Sequence, residues 1–535
     1  MPGGAPSGGQ SRNLILAAMI FAVSMTFIDQ TIVSIAVPEI QRQLGLSATG
    51  VQWAVNAYLL SLAAFFAFGG RLADTLGHRR MATLGVIIFA GASTLCGLTP
   101  KGGLAEAWIV TFRAVQGLGG AIMFPAALAI VVQTFPLRER GKALATFFGI
   151  AGGLTAVGPI LGGFLTQWTW RAIFWVNIPV AAIALVLIVV SKPTTSYQAA
   201  RMDYRGLVLI ASGVALSVFG FQQSSIWGWS DPATGLCIAA GLVLLVAFAL
   251  VELRTDSPLM QVRIFRIRAF LFENLVLGVA MLAFVPVFFF ASEYAQISLG
   301  KSASEAGLYL LYFFIGFAVA AQIGGRMLDR GGAKRPVVLG CILAAVGYYL
   351  WAGKVTGLSF HTQQWYIILA GAGMGFMLGP ASTDAVNRAS RLSYGEATGI
   401  TQTVRNYAAS LGLAILGTVL VTVMRSRLTT YFEDQTLPNG QKESKGQAAR
   451  EAARLAQGHG GSGSVASIPH FYRLDFAYAT RAVLYGMALA MAVAAVVGLI
   501  GLRAGLQEEP GTEGSVPDTG GAAPVDEGEA APAAP

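Results

Sequence analysis

The chain is predicted to be an all-α integral membrane protein with fourteen transmembrane helices arranged as six, two and six. Three observations lead there. Of its 535 residues, 55% are hydrophobic and 12% charged, against about 25% charged in soluble domains. Fourteen apolar runs are each long enough to cross roughly 30 Å of hydrocarbon. A residue pattern after the second run recurs 255 positions later, so one six-span plan is used twice. The 65 glycines suit this class, because small residues let helices pack closely where no hydrophobic effect drives them together.

In order, the runs fall near 14–37, 51–72, 81–99, 107–132, 142–166, 171–191, 206–226 and 235–253, then 269–292, 305–327, 336–353, 363–386, 399–424 and 479–503. The first is too long for the core of a signal peptide and is expected to stay as a span. The expected organisation is a disordered tail at 1–13, a six-helix bundle at 14–191, two additional helices with linkers at 192–268, a second six-helix bundle at 269–503 and a disordered tail at 504–535. That last segment is Gly, Pro, Ala and Glu, with too little apolar surface to fold. Within the second bundle, 425–478 is a long segment of mixed charge expected to form a small structure of its own. Its 447–457 piece has helix-favouring composition, and 458–464 reads as a flexible link.

The net charge of +9 is a topology signal rather than a nucleic-acid footprint. Cationic residues concentrate in alternate linkers: Arg71, Arg79 and Arg80; Arg138, Arg140 and Lys142; Lys192, Arg201 and Arg205; and three later groups. With Arg12 and Arg503 they total 21 on one side, against five on the other, namely Arg42, Lys101, Arg171, Lys301 and Lys354. The rule that Lys and Arg stay inside makes the rich side cytoplasmic, and both termini with it. Three cysteines inside apolar runs, Cys96, Cys237 and Cys341, indicate neither a disulfide framework nor a metal site.

One acid stands out. Asp29 lies within the first run, nine residues before Pro38, about 13 Å from that end of a helix. Ionisable groups at such depth are costly, and they usually face a protein interior or watery cavity, pair with a cation, or carry protons. A structural acid satisfied by packing is the alternative.

The repeat lies in the linkers. Gly70, Asp74, Gly77, Arg79 and Arg80 occupy offsets that recur at Gly325, Asp329, Gly332, Lys334 and Arg335, and Pro125 maps to Pro380 at the same shift. Parallel repeats related by an axis along the membrane normal mark secondary transporters whose halves rock around a midplane site. The Asp would sit near a helix terminus and cationic partners, an arrangement that helix dipoles favour and that would serve as a breakable latch. Closing a tight loop is the plainer role.

Taken together, these residues resemble the major facilitator superfamily, in its fourteen-helix drug:proton antiporter branch. Gly70 to Arg80 is similar to the family's loop signature, and Asp29-x-Thr31 through Ala36-x-Pro38 to the branch's first-helix motif. Arg113-Ala114-Val115-Gln116-Gly117-Leu118-Gly119 resembles the fourth-helix motif linked to proton coupling, and Gly158-Pro159-Ile160-Leu161-Gly162-Gly163 the fifth-helix antiporter motif. Trp170-Arg171 and Phe174-x-x-Asn177-x-Pro179 add support, while Ala172, His78 and Ala408 depart from common family residues. The resemblance implies the superfamily fold, a hinge or seal at the fifth-helix motif, and proton coupling through Asp29 and Arg113.

Other candidates come from position alone. Asp384 and Arg405 fall at comparable depth on successive helices and are expected to form a structural ion pair. Asn56, Tyr58, Phe284, Phe288, Tyr312, Gln402, Asn406 and Tyr407 are candidates to line a substrate cavity, because aromatics with a few polar groups suit flat amphipathic ligands. The expected function is proton-driven export of an amphipathic small molecule across a bacterial-type plasma membrane, with lipid or glycolipid export as the alternative. Nutrient import fits the antiporter-type fifth helix less well. An integral membrane enzyme would need a reactive constellation, and the sequence has four His, no phosphate-binding loop and no Gly-x-Ser-x-Gly turn. No cofactor, metal or nucleic-acid partner is expected, and the protein is expected to function as a monomer in the bilayer.

Overall fold

In the computed structural model, residues 9–193, 202–387, 394–434, 445–456 and 469–505 are described. The first four spans are α1 (Gly9–Leu44), α2 (Ala48–Leu76), α3 (His78–Gly97) and α4 (Ala105–Thr134). The fifth is broken into α5 (Leu137–Leu154) and α6 (Val157–Trp168), and the sixth into α7 (Ala172–Trp175) and α8 (Asn177–Ser191). Two further spans follow, α9 (Tyr204–Trp227) and α10 (Pro232–Glu252). The remainder are α11 (Arg268–Ile297), α12 (Ala303–Gly331), α13 (Lys334–Val355), α14 (Gln364–Asn387), α15 (Tyr394–Asp434) and α17 (His470–Gly501), with the short α16 (Lys445–Ala456) between the last two. Fourteen of these stretches are long and apolar enough to cross a membrane.

Local chemistry sets the ends. Ser47 accepts from the Gly50 amide at the start of α2, and Ser302 and Glu305 form a reciprocal capping box at the start of α12, so free amides are satisfied where the chain leaves the hydrocarbon. At the other end of the same two helices, Gly77 and Gly332 take φ values of 98° and 78°, a region that glycine enters without strain. The face carrying these two turns is called the Asp74 face below.

The repeat seen in the sequence is also a repeat in packing. Gly69 lies against the Ala121 carbonyl and Gly324 against the Phe376 carbonyl, so closely that a Cβ on either would run into backbone. Both partners are displaced by the same 255 positions. Thus α2 packs on α4 as α12 packs on α14. The extra helices α9 and α10 pair with each other, and α9 lies along the seam between α2 and α15.

Several boundaries differ from expectation. Helix α1 begins at Gly9, inside the stretch expected to be a disordered tail, and runs through Pro38 to Leu44. Asp29 therefore lies about 22 Å from that end rather than 13 Å. Helix α15 continues to Asp434, well beyond 425, and α17 starts at His470. Their projecting ends hold each other through an Arg427–Asp475 ion pair of 3.1 Å and stacked Tyr431 and Phe471 rings. Between them α16 occupies almost the stretch whose composition favours a helix. The link at 458–464 and the tail beyond 505 fall outside the described residues.

Candidate functional site

Asp29 is buried at the meeting of α1, α2 and α4. Its Oδ2 lies 2.6 Å from Arg113 Nη1 and its Oδ1 accepts from Gln116 Nε2 at 2.8 Å. Arg113 Nε donates to the Ala54 carbonyl at 2.9 Å, and Nη1 also donates to Gln116 Oε1 at 2.8 Å. The guanidinium sits 4.5 Å over the Tyr58 ring, whose hydroxyl donates to the Thr26 carbonyl. Both charged side chains are about 1% exposed. Removing one partner of such a pair would leave a bare buried charge, at a cost of about 3–5 kcal/mol. The arrangement can hold a carboxylate strongly in one conformation and release it in another only if α4 moves relative to α1.

Two residues of this cluster were not singled out from the sequence as part of it. Gln116 is one, although the spacing Arg113-x-x-Gln116 already puts both on one helix face. Tyr58 is the other: its residue type and position suggest a cavity lining, whereas the structure puts it beneath Arg113.

The fifth-helix motif surrounds the break between α5 and α6. Pro159 cannot donate a backbone hydrogen bond, and the Thr155 carbonyl at the break accepts instead from Thr31 Oγ1 at 2.9 Å. Gly158 lies against Thr31, and a Cβ on Gly162 would come 2.8 Å from the Ile32 carbonyl of α1. On the other side, Gly163 is pressed against Ala303 and Ser304 of α12, and Pro159 against Gly307. The motif is thus one of the surfaces where the first six spans touch the last six, at the end away from the Asp74 face. Gln296 Nε2 donating to the Ile35 carbonyl at 2.9 Å joins the halves at the same end.

In the loop repeat, Asp74 Oδ1 lies 3.0 Å from His78 Nε2 across the Gly77 turn. His78 is buried, Arg79 half-buried and Arg80 exposed, while Gly70 approaches Pro125 at the foot of α4. Its counterpart differs: Asp329 and Arg335 are exposed, and Gly332 packs on the backbone of Gly505.

The structure does not bring the other candidates together as expected. Among the described residues Arg405 and Asp384 are not paired with each other. Helix α15 starts at Tyr394 instead of near 399, which puts Arg405 about 16 Å from that helix end, whereas Asp384 is about 4.5 Å from the end of α14. Among the proposed cavity residues, Asn56 meets Gln222 at 2.8 Å and Ser410, and the Tyr407 hydroxyl meets Ser217 at 2.9 Å. These two are turned towards α9. Phe284 and Phe288 are buried in an aromatic cluster with Phe313, Phe314 and Phe317, and Tyr312 packs edge-on against Phe360. Asn406 is buried, while Gln402, like Tyr312 and Tyr407, is only half-buried. The eight do not form one lining.

Residues 19–413 match the profile of the Major Facilitator Superfamily. The chain belongs to that superfamily. It is 34% identical over 428 residues to the tetracenomycin C resistance and export protein of Streptomyces glaucescens, covering 78% of this chain and 77% of the relative. It is also 34% identical to the puromycin resistance protein of Streptomyces alboniger, over 76% of this chain and 80% of the relative, and 30% identical to the multidrug resistance protein Stp of Mycobacterium tuberculosis strain CDC 1551 / Oshkosh, over 79% of each. Among solved structures, a bacterial homologue of the human lysosomal transporter Spinster in an inward-facing, unoccupied conformation aligns with a TM-score of 0.60 at 17% identity, covering 92% of this chain and 98% of that one. A D-xylose-proton symporter aligns at 0.54 and 14% identity, over 83% and 96%. As a superfamily member with fourteen apolar helices, the protein is a multi-pass membrane transporter and not an enzyme.

Proposed function

We propose that this superfamily member exports amphipathic small molecules of the drug or antibiotic class from the cytoplasm, driven by the proton gradient. The observation that carries the reading is the ion pair of Asp29 and Arg113, enclosed where α1, α2 and α4 meet. A carboxylate held this way is ionised while Arg113 faces it. It takes up a proton when rearrangement of the halves separates the two and the neutral acid is the cheaper state in a dry setting. The identity of the relatives named above as export and resistance proteins supports the cargo class.

The remaining parts take roles around that pair. The Asp74 face is cytoplasmic, in keeping with the distribution of Lys and Arg. The packed glycines of α6 act as the seal at the outer end, and the Asp74–His78 turn as a latch at the inner end. The transporter works as a monomer without a cofactor. Transport into inverted membrane vesicles, with an imposed pH gradient and a panel of cationic, neutral and anionic dyes, tests this directly. Uptake that tracks the gradient supports it, and uptake indifferent to the gradient refutes it. Selective movement of lipid analogues with no dye uptake would favour the lipid-export alternative.

A further inference from the structure

Arg405 is a cation deep in the bundle that the coupling pair does not use. Among the described residues its guanidinium makes no hydrogen bond or ion pair, and its Nε is fully enclosed without a partner. This contrasts with Arg113, which binds a carboxylate, a carbonyl and an amide. A charge placed about 16 Å along α15 is costly unless something compensates it.

The contacts of α15 fix which way Arg405 points. Val404 and Ala408 lie against Gly278, and Gly412 against Leu282, so this seam faces α11. Gly399, Ser410 and Gly417 meet Phe66, Asn56 and Gln52, forming a seam with α2. Tyr407 and Thr418 meet Ser217 and Phe221 on α9. At about 100° per residue, Gln402, Arg405 and Ala409 share the remaining arc, between the α11 and α2 seams and roughly opposite α9. Both α11 and α2 pack on α1, so this arc opens towards the middle of the bundle. Gln402 and Arg405 keep accessible surface there, while neighbouring Thr401, Thr403 and Asn406 are buried.

We propose that Arg405, with Gln402 beside it, is the recognition site for an anionic oxygen group on the transported molecule, such as the carboxylate, sulfonate or ionised phenol of an otherwise apolar cargo. The proposal rests on the export reading in that it takes the middle of the bundle as the cargo's path. A planar guanidinium with free donors matches such a group in two-point geometry, and the bonds formed are of the strong, charge-assisted kind.

The test uses the full-length protein in detergent, with 9-anthracenecarboxylate and its uncharged methyl ester as probes titrated near neutral pH. The acid is expected to bind about tenfold or more tightly than the ester, in line with charge-assisted hydrogen bonds. Arg405→Gln is expected to abolish that preference while leaving ester affinity unchanged, which also shows that the site is folded. Arg405→Lys keeps the charge but loses the fork, so its preference should fall by severalfold; it serves as the second variant if the glutamine form does not fold. Equal binding of acid and ester by the parent, or a preference that survives either substitution undiminished, overturns the assignment. The titrations need no gradient, so the two readings fail separately. An acid preference without pH-driven transport strikes the export reading and leaves Arg405 standing, whereas pH-driven export of ethidium without an acid preference does the reverse.

Discussion

The contact between α6 and α12 offers a perturbation whose size can be worked from the structure. A Cβ on Gly163 would lie 2.7 Å from the Ser304 Cα and 2.8 Å from the Ala303 carbonyl oxygen. Ordinary contact begins near 3.4 Å, so Gly163→Ala must push the two backbones apart by about 0.7 Å. Overpacking of this kind costs roughly 1–3 kcal/mol. Because the strain exists only while the halves are closed at this end, it acts on the balance of states. It should shift the population towards the arrangement open at this end by about 5- to 150-fold. The assay is a spin-label distance between Leu104→Cys and His361→Cys, both exposed on the face opposite Asp74 and on different halves, after removal of Cys96, Cys237 and Cys341. A longer distance should gain weight in Gly163→Ala. Gly158→Ala is the control: it strikes Thr31 and Ile28 within one half, so it should lower stability without moving that distance. A distance distribution in folded Gly163→Ala identical to the parent's would refute the reasoning.

Two further outcomes follow from the same geometry. Asp74→Asn weakens the contact with His78 without unpacking the turn, so state populations should change more than ligand affinity, and the same spin-label pair reads the difference; unchanged populations would remove the latch. A membrane-impermeant label on a cysteine placed within 430–475 should react from outside intact cells, and reaction only after lysis would reverse the orientation.

The fourteen spans were legible because crossing a bilayer demands a length and a hydropathy that few other segments have. Asp29 was legible for a related reason, since charge is rare in such runs. Its neighbours were less so: Gln116 and Thr31 are uncharged, and their roles depend on how helices rotate against one another, which no single helix encodes. The Asp384–Arg405 pairing failed because a helix start misplaced by five residues moves a side chain about 7.5 Å in depth. Asn56 and Tyr407 read as central-cavity residues because nothing in the sequence says on which side of the bundle α9 packs. Once α9 is placed, both side chains are satisfied by it. The glycines of α6 show the converse, where the motif was evident but its bearing surface on Ala303, Ser304 and Gly307 required the fold.

The central claim is that Asp29 carries the proton that drives export, and one measurement addresses it most directly. Purified parent and Asp29→Asn are reconstituted into vesicles, and accumulation of an amphipathic dye against its gradient is followed while the pH gradient is varied. The account predicts accumulation by the parent that collapses with the pH gradient, and an Asp29→Asn protein that remains folded and binds the dye yet does not accumulate it. Accumulation by Asp29→Asn with the parent's dependence on the pH gradient would contradict it.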